Sequence, residues 1–112
     1  MHTGLRIFLL AIGALSFHIA QVRADDTGFA YSHDLVKDGG RLCMKDHFHS
    51  GYGDGATKAA ATNAAIKSWA DFTAFEYGTA WARYSLAKSK STKFTKAEKG
   101  WSANVDARPC RG

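Results

Sequence analysis

Two histidines separated by a single residue, in the tetrapeptide DHFH, form the clearest metal-binding pattern of the chain. On a β-strand His47 and His49 would project from one face about 7 Å apart, a spacing that suits two imidazoles on one metal ion. Asp46 or Asp54 would supply a carboxylate oxygen, and His33 would complete the ligand set if the N-terminal residues fold back. We therefore predict His47, His49 and Asp54 as candidate ligands of a divalent transition metal. The pattern does not distinguish nickel, copper and zinc, and two surface histidines without a metal are the alternative.

A second candidate site is a run of lysines near the C-terminus that includes two aromatic residues, Phe94 and Trp101. Its lysines are Lys88, Lys90, Lys93, Lys96 and Lys99. This composition predicts contact with an anionic surface such as lipopolysaccharide, phospholipid headgroups or nucleic acid. The alternative is a solvated hairpin whose lysines prevent pairing with a neighbouring strand. Trp81 is a further candidate, as an exposed platform for a sugar ring, if its segment is a strand.

No pattern typical of a catalytic site occurs in the sequence. The serines lack a nucleophile-elbow motif. Asp71 and Glu76 are five residues apart, a spacing that does not place them on the same face of a helix. The glycine-rich stretch 51–55 does not match a phosphate-binding loop, because Lys58 lies at the wrong distance. We therefore expect no enzyme, no nucleotide and no cofactor, with a divalent transition metal as the alternative.

The first 24 residues resemble a secretory signal peptide. A short basic segment ends at Arg6, the apolar run 7–17 follows, and Val22-Arg23-Ala24 precedes Asp25 as a cleavage site. The run is too short for a permanent transmembrane helix, which is the alternative interpretation. We expect a periplasmic or secreted protein with no transmembrane anchor in its mature form.

Export determines how the charge and the cysteines are interpreted. Cleavage after Ala24 removes two arginines and lowers the formal net charge from +5 to +3, which is ordinary for a small domain. The two cysteines, Cys43 and Cys110, then predict a disulfide rather than a redox or metal-binding pair. Such a bond closes a loop of about 67 residues, worth about 4 kcal/mol in the chain-entropy model.

The strongest secondary-structure pattern is a helix over Ala56–Tyr77. Its alanines favour helix, and Ala61, Ala65, Trp69 and Phe72 repeat on one stripe. We expect Asp54 as the N-cap and Gly78 just after the last turn. The glycines of Ser50–Gly55 predict a turn before the helix.

Three segments outside the helix have strand patterns. Arg41–His49 alternates imperfectly, Ser89–Lys96 is the second, and Trp101–Ala107 alternates as a half-buried antiparallel strand does. The residues Ala97–Gly100 predict the hairpin loop between the last two. The segment Thr79–Ser91 fits helix or strand, and we favour strand. The aromatic residues of helix and strands are expected to form the core together: Trp69, Phe72, Phe75, Tyr84, Phe94 and Trp101.

The sequence resembles small exported bacterial proteins of uncharacterised function. The resemblance is carried by Ala65-Ile66-x-x-Trp69, Phe75-Glu76-Tyr77-Gly78-x-x-Trp81, Gly100-Trp101 and Ala107-Arg108-Pro109-Cys110-Arg111, and it extends from Cys43 to the C-terminus. It implies that relatives carry a second cysteine pair near Phe94 and Ala103, which this chain lacks. It implies no activity.

These patterns together predict an α+β domain of one long helix packed on a three- or four-stranded antiparallel sheet. The predicted organisation is a signal peptide at 1–24, an N-terminal arm at 25–40 and a single disulfide-linked domain at 41–112. We expect an exported, non-enzymatic binding or interaction module of the bacterial envelope. A metal-binding protein or a binder of anionic surfaces is the alternative.

Overall fold

The structure, a computed structural model, describes residues 24–112. The predicted signal peptide lies outside the described residues except for Ala24. The strands are β1 (Leu35–Asp38), β2 (Arg41–Met44), β3 (His49–Gly55), β4 (Lys88–Ala97), β5 (Gly100–Arg108) and β6 (Cys110–Arg111), and the helix is α1 (Lys58–Tyr77). Three short 3-10 turns span Phe29–Ser32, Thr79–Trp81 and Tyr84–Leu86.

The strands form two antiparallel sheets of three strands each. One sheet has the order β3-β5-β4 and the other the order β1-β2-β6. Helix α1 packs on β3 and β5. The sheet β3-β5-β4, which has the longer strands and is called the larger sheet, therefore has one face covered by the helix and one open face. The predicted α+β fold, with one long helix on an antiparallel sheet, is confirmed, and the smaller sheet is an addition to it.

The glycine-rich segment 50–55 is a strand, and the predicted turn is therefore wrong. A Cβ atom on Gly53 would lie 2.3 Å from the backbone nitrogen of Ala65, and one on Gly51 would lie 2.2 Å from the carbonyl oxygen of the same residue. The alternate glycines of β3 thus face α1, where they allow the strand and helix backbones to lie closer than any side chain permits.

The predicted C-terminal end of α1 is confirmed, but the predicted N-cap is wrong. Thr57, not Asp54, is the N-cap, because the Thr57 hydroxyl accepts a hydrogen bond from the backbone N–H of Ala60 at 3.1 Å. Asp54 belongs to β3, where its carboxylate accepts a hydrogen bond from the Ser102 hydroxyl. Gly78 follows the last turn with a φ of 106°, as predicted, and its N–H donates to the carbonyl of Ala74.

The buried stripe of α1 differs from the predicted one in its last two turns. Burial follows a repeat of four residues from Ala61 through Trp69 to Thr73 and Tyr77. Phe72 and Phe75 were expected in the core, but Phe72 is 48% exposed and Phe75 is 82% exposed. Of the predicted aromatic contacts, Trp69 meets Tyr84 with ring centroids 5.3 Å apart, and Phe94 meets Trp101 at 6.4 Å.

The β4–β5 hairpin confirms the strand predictions for the C-terminal half. Along β5 the side chains of Ala103, Val105 and Ala107 are buried and alternate with more exposed ones. Gly100 has a φ of 112° directly after the two-residue turn, as the hairpin requires. Phe94 and Ala103 are direct partners across this strand pair.

The segment between α1 and β4 contains no strand before Lys88, so the favoured strand over 79–91 is wrong for most of its length. Two 3-10 turns occupy it instead. Trp81 is fully buried against Tyr77, Met44 and Ala30 and offers no surface for a sugar. The smaller sheet, absent from the prediction, is what covers this indole.

The predicted N-terminal arm at 25–40 is likewise an integral part of the fold. Its strand β1 pairs with β2 over four residues. The N–H of Thr27 donates to the carbonyl of Tyr77 at 3.0 Å, and Asp26 forms an ion pair with Arg111. The hydrogen bond from the Gly28 N–H is the main cause that lowers the pKa of Asp26. These contacts hold the N-terminal residues, including His33, against the C-terminal end of α1.

A disulfide joins Cys43 to Cys110, as predicted, between paired residues of β2 and β6. Both cysteines are fully buried. The predicted strand over 41–49 is wrong at its centre, because β2 ends at Met44 and β3 begins at His49. The intervening loop carries His47.

Candidate metal centre

Three separate segments bring potential metal ligands together at the C-terminal end of α1. His33 follows the first 3-10 turn, His47 lies in the loop between β2 and β3, and Glu76 lies in the last turn of α1. One ligand atom from each lies within 4.8 Å of the other two. All three side chains are partly exposed, so the site is open to ions from solution.

His49 adjoins this group from the interior, where it lies against Glu76, although it is outside the set whose ligand atoms all lie within 4.8 Å of one another. As the first residue of β3 it is only 2% exposed, and its ring centroid lies 5.2 Å from that of His47. Its Nε2 lies 3.5 Å from the Oε2 atom of Glu76. We call His33, His47, His49 and Glu76 the histidine cluster.

The protonation state of His49 follows from its hydrogen bonds. The hydroxyl of Thr73 donates to the carbonyl of Trp69 at 2.7 Å and lies 2.9 Å from Nδ1 of His49. Since that hydroxyl has already donated its proton, Nδ1 must be the donor in the second bond. The neutral ring therefore carries its lone pair on Nε2, the nitrogen that faces Glu76.

Burial keeps this ring uncharged. Loss of hydration lowers the pKa of His49 to about 4, although the charge of Glu76 favours the protonated form. At neutral pH two lone pairs, one on Nε2 and one on the carboxylate, therefore face each other. Nε2 is buried and has no hydrogen-bond partner within residues 24–112, so a cation between the two atoms would satisfy both.

The gap between these two atoms fits a tetrahedral metal ion. Bond lengths of about 2.0–2.1 Å from zinc to nitrogen and oxygen imply a ligand-to-ligand distance of about 3.4 Å. The observed distance from Nε2 of His49 to Oε2 of Glu76 is 3.5 Å. The two atoms would hardly move to share one ion.

Tyr77 positions the rings around the site. Its ring stacks on His49 at 4.8 Å with an interplanar angle of 15° and meets His33 edge-on at 5.4 Å. Its hydroxyl lies 3.2 Å from Nε2 of His33. Burial, and then the charge of Glu76, raises the pKa of Tyr77, so the phenol remains a proton donor.

The structure brings together only part of the predicted ligand set. His47 and His49 are close, as expected, although His47 lies in a loop rather than on a strand. Asp54 is not near them, because His49 faces α1 while Asp54 is on the alternate, open face of β3 at its far end. Asp46 instead lines a depression of about 240 Å³ with Asp34, beside His33 and His47.

Glu76 was missed as a candidate ligand, although the sequence contains a signal for it. Trp69, Thr73 and Glu76 follow one another at spacings of four and three, which places this carboxylate on the buried side of α1. A glutamate on such a stripe requires a partner. From the sequence, Glu76 was considered only as a possible catalytic partner of Asp71 and was therefore not identified as a candidate metal ligand.

The predicted anion-binding lysines lie along β4, from Lys88, which pairs with Arg108 at the end of the sheet that carries His49, to Lys96 near the hairpin turn at the opposite end. Lys88 is near Asp38, with Nζ 3.8 Å from Oδ1, and Lys90 lies over the ring of Tyr84. Lys93 and Lys96 are exposed nearer the hairpin turn. These lysines therefore divide into a pair near the body of the domain and a pair near the tip.

Comparisons with known proteins give no relatives: the chain matches no protein-family model, no curated protein and no solved structure. Among residues 24–112 no helix has the length and apolar character that crossing a membrane requires.

Proposed function

We propose that this protein is an exported, non-enzymatic metal-binding protein whose histidine cluster holds one divalent transition-metal ion. The observation that carries the proposal is the position of buried His49 against Glu76: Nε2 and Oε2 lie 3.5 Å apart, and Nε2 has no hydrogen-bond partner within residues 24–112. An isolated buried lone pair is costly, and a bound cation removes that cost.

The donor set indicates the class of metal. Three imidazoles and one carboxylate, with no thiolate among them, suit Zn²⁺, Ni²⁺ or Cu²⁺ better than Ca²⁺ or Cu⁺. Thr73 orients His49 through its second ring nitrogen, as the outer partners of metal-bound histidines do. Asp34 and Asp46 add negative charge beside the partly exposed ligands His33 and His47, which favours the approach of a cation.

An extracytoplasmic location is supported by two observations. The disulfide between Cys43 and Cys110 would be reduced in a cytosol but persists in oxidising compartments. The first 24 residues have the composition and order of a secretory signal. Both observations are consistent with a periplasmic or secreted protein.

Calorimetric titration of the metal-free protein with Zn²⁺ at pH 7 tests the proposal. We expect one saturable site per chain, and we expect Glu76→Gln to weaken it by roughly 10- to 100-fold, because the variant loses an anionic ligand. Asp54→Asn is the matched control, since it makes the same chemical change on the open face of β3 and should leave the affinity unchanged.

Two results of this titration would reject the proposal. One is the absence of saturable uptake of zinc, nickel or copper by the wild-type protein. The other is equal affinity in the wild type and in the Glu76→Gln variant, with both proteins shown by circular dichroism to be folded.

A further inference from the structure

The positive charge of the domain is concentrated on one element. Residues 88–100, which form most of the β4–β5 hairpin, contain five lysines and one acidic residue, Glu98. The remainder of residues 24–112 contains eight basic and nine acidic residues. The hairpin is therefore cationic. We call its turn end, which lies near the start of α1, the cationic pole; the histidine cluster lies at the other end of the 20-residue helix, about 30 Å away.

Aromatic rings and ammonium groups are interleaved at the tip of this pole. Nζ of Lys58, at the start of α1, and Nζ of Lys96, on β4, both lie 4.6 Å from the ring centre of Trp101. Lys58 also lies 5.2 Å from the ring of Phe94, which is 40% exposed. Within the described part of the chain, the ion pairs involve neither of these two lysines.

We propose that this tip surface, made of Lys58, Phe94, Lys96, Lys99 and Trp101, docks the protein on a membrane surface rich in anionic phospholipid. Ammonium groups with no carboxylate partners attract lipid phosphates, at about 1 kcal/mol for each lysine near the surface. A partly exposed aromatic ring flanked by lysines suits the depth of the headgroups. Docking by this pole leaves the histidine cluster facing the solution.

The same geometry disfavours nucleic acid and sugars as the partner. Binding of single strands depends on aromatic faces that are free to stack on bases, whereas ammonium groups lie over the rings of Trp101 and Phe94. Residues 88–100 contain no arginine, so the hairpin lacks the planar fork that recognises phosphate and bases bidentately. Binding to a diffuse anionic surface requires neither free aromatic faces nor a planar guanidinium group.

Tryptophan fluorescence in the presence of vesicles tests this proposal. Trp69 and Trp81 are fully buried, whereas Trp101 is partly exposed within the tip surface, so quenching by acrylamide reports on Trp101. We expect vesicles of equal parts phosphatidylcholine and phosphatidylglycerol to protect it, and pure phosphatidylcholine to have no effect. Protection should weaken as salt is added.

The variant pair separates local contact from overall charge. Lys58→Gln/Lys96→Gln should reduce the vesicle partition coefficient by roughly tenfold or more. Lys37→Gln/Lys67→Gln removes the same charge from exposed sites on β1 and α1 and should reduce it by less than about threefold. An equal loss in the two variants, binding to neutral vesicles, or tighter binding to heparin or single-stranded DNA than to the anionic vesicles would overturn the proposal. None of these results depends on whether the histidine cluster binds metal.

Discussion

At the first residue of β3, a buried and uncharged imidazole faces a carboxylate. Most buried histidines have both ring nitrogens hydrogen-bonded, but His49 has a partner only for Nδ1. Thr73 determines which nitrogen carries the proton, and Glu76 determines what lies opposite the other. The chemistry of the cluster thus depends on the hydroxyl of Thr73, a residue whose sequence context suggests only helix packing.

The low pKa of His49 predicts a specific loss of stability in acid. Histidine in the unfolded chain takes up a proton near pH 6.5, whereas folded His49 does so only near pH 4. Between these values the unfolded state binds more protons, so the free energy of unfolding of the metal-free protein should fall as the pH falls from 6.5 to 4. The loss should be on the order of 3 kcal/mol and should be complete near pH 4.

Urea unfolding of the wild type and of His49→Gln at several pH values between 7.5 and 4 measures this contribution. Glutamine has no charge in this range, so the variant should lose less stability between pH 6.5 and 4 than the wild type does. Parallel pH profiles of the two proteins would show that His49 is not held neutral by burial.

At the scale of elements, the close contact between β3 and α1 explains how the site is held. The alternate glycines of β3 allow the strand to pack against the alanine face of the helix. Because of this contact, the start of β3, with His49, lies close to the last turns of α1. The histidine and Glu76 therefore meet because two backbones are packed without side chains between them.

Gly53→Ala should test that contact directly. The added methyl group would lie 2.3 Å from the backbone nitrogen of Ala65, so the strand and helix must separate, at an expected cost of about 2–3 kcal/mol in unfolding free energy. Ser50→Ala, on the open face of the same strand, should cost less than about 1 kcal/mol. Similar losses in both variants, measured by urea unfolding, would mean that β3 and α1 are not so closely packed.

The elements that the sequence predicts well are those that local spacing determines. Alternation along β5 and the glycine at its start were sufficient to place the hairpin. The segment 50–55 was misassigned because three glycines favour a turn locally, whereas here they serve a contact with a helix that follows later in the chain. Trp81 was misplaced for the same reason, since the sheet that buries it is assembled from distant segments.

At the scale of the whole molecule, the histidine cluster joins parts of the chain that the disulfide does not join. Cys43 and Cys110 connect β2 with β6, while His33, His47 and Glu76 come from the N-terminal residues, the β2–β3 loop and α1. Long-range assembly of this kind explains why the sequence indicated two histidines but not the complete set. A bound metal would act as a second cross-link at that end of the domain.

The protein is also electrically polar along its helix. The candidate metal ligands, with Asp34 and Asp46 beside them, lie at the C-terminal end of α1, whereas Lys58 and Lys96 lie near its start. This separation predicts that metal binding and attachment to an anionic surface are independent, so substitutions at one pole should leave the function of the other unchanged.

The most direct test of the metal centre is a ¹H–¹⁵N correlation spectrum of the histidine rings, recorded at pH 7 before and after one equivalent of Zn²⁺. We expect metal-free His49 to be protonated at Nδ1 and unprotonated at Nε2, and we expect zinc to shift that Nε2 together with ring nitrogens of His33 and His47. A His49 ring protonated on both nitrogens at pH 7, or one unaffected by saturating zinc, would contradict the account.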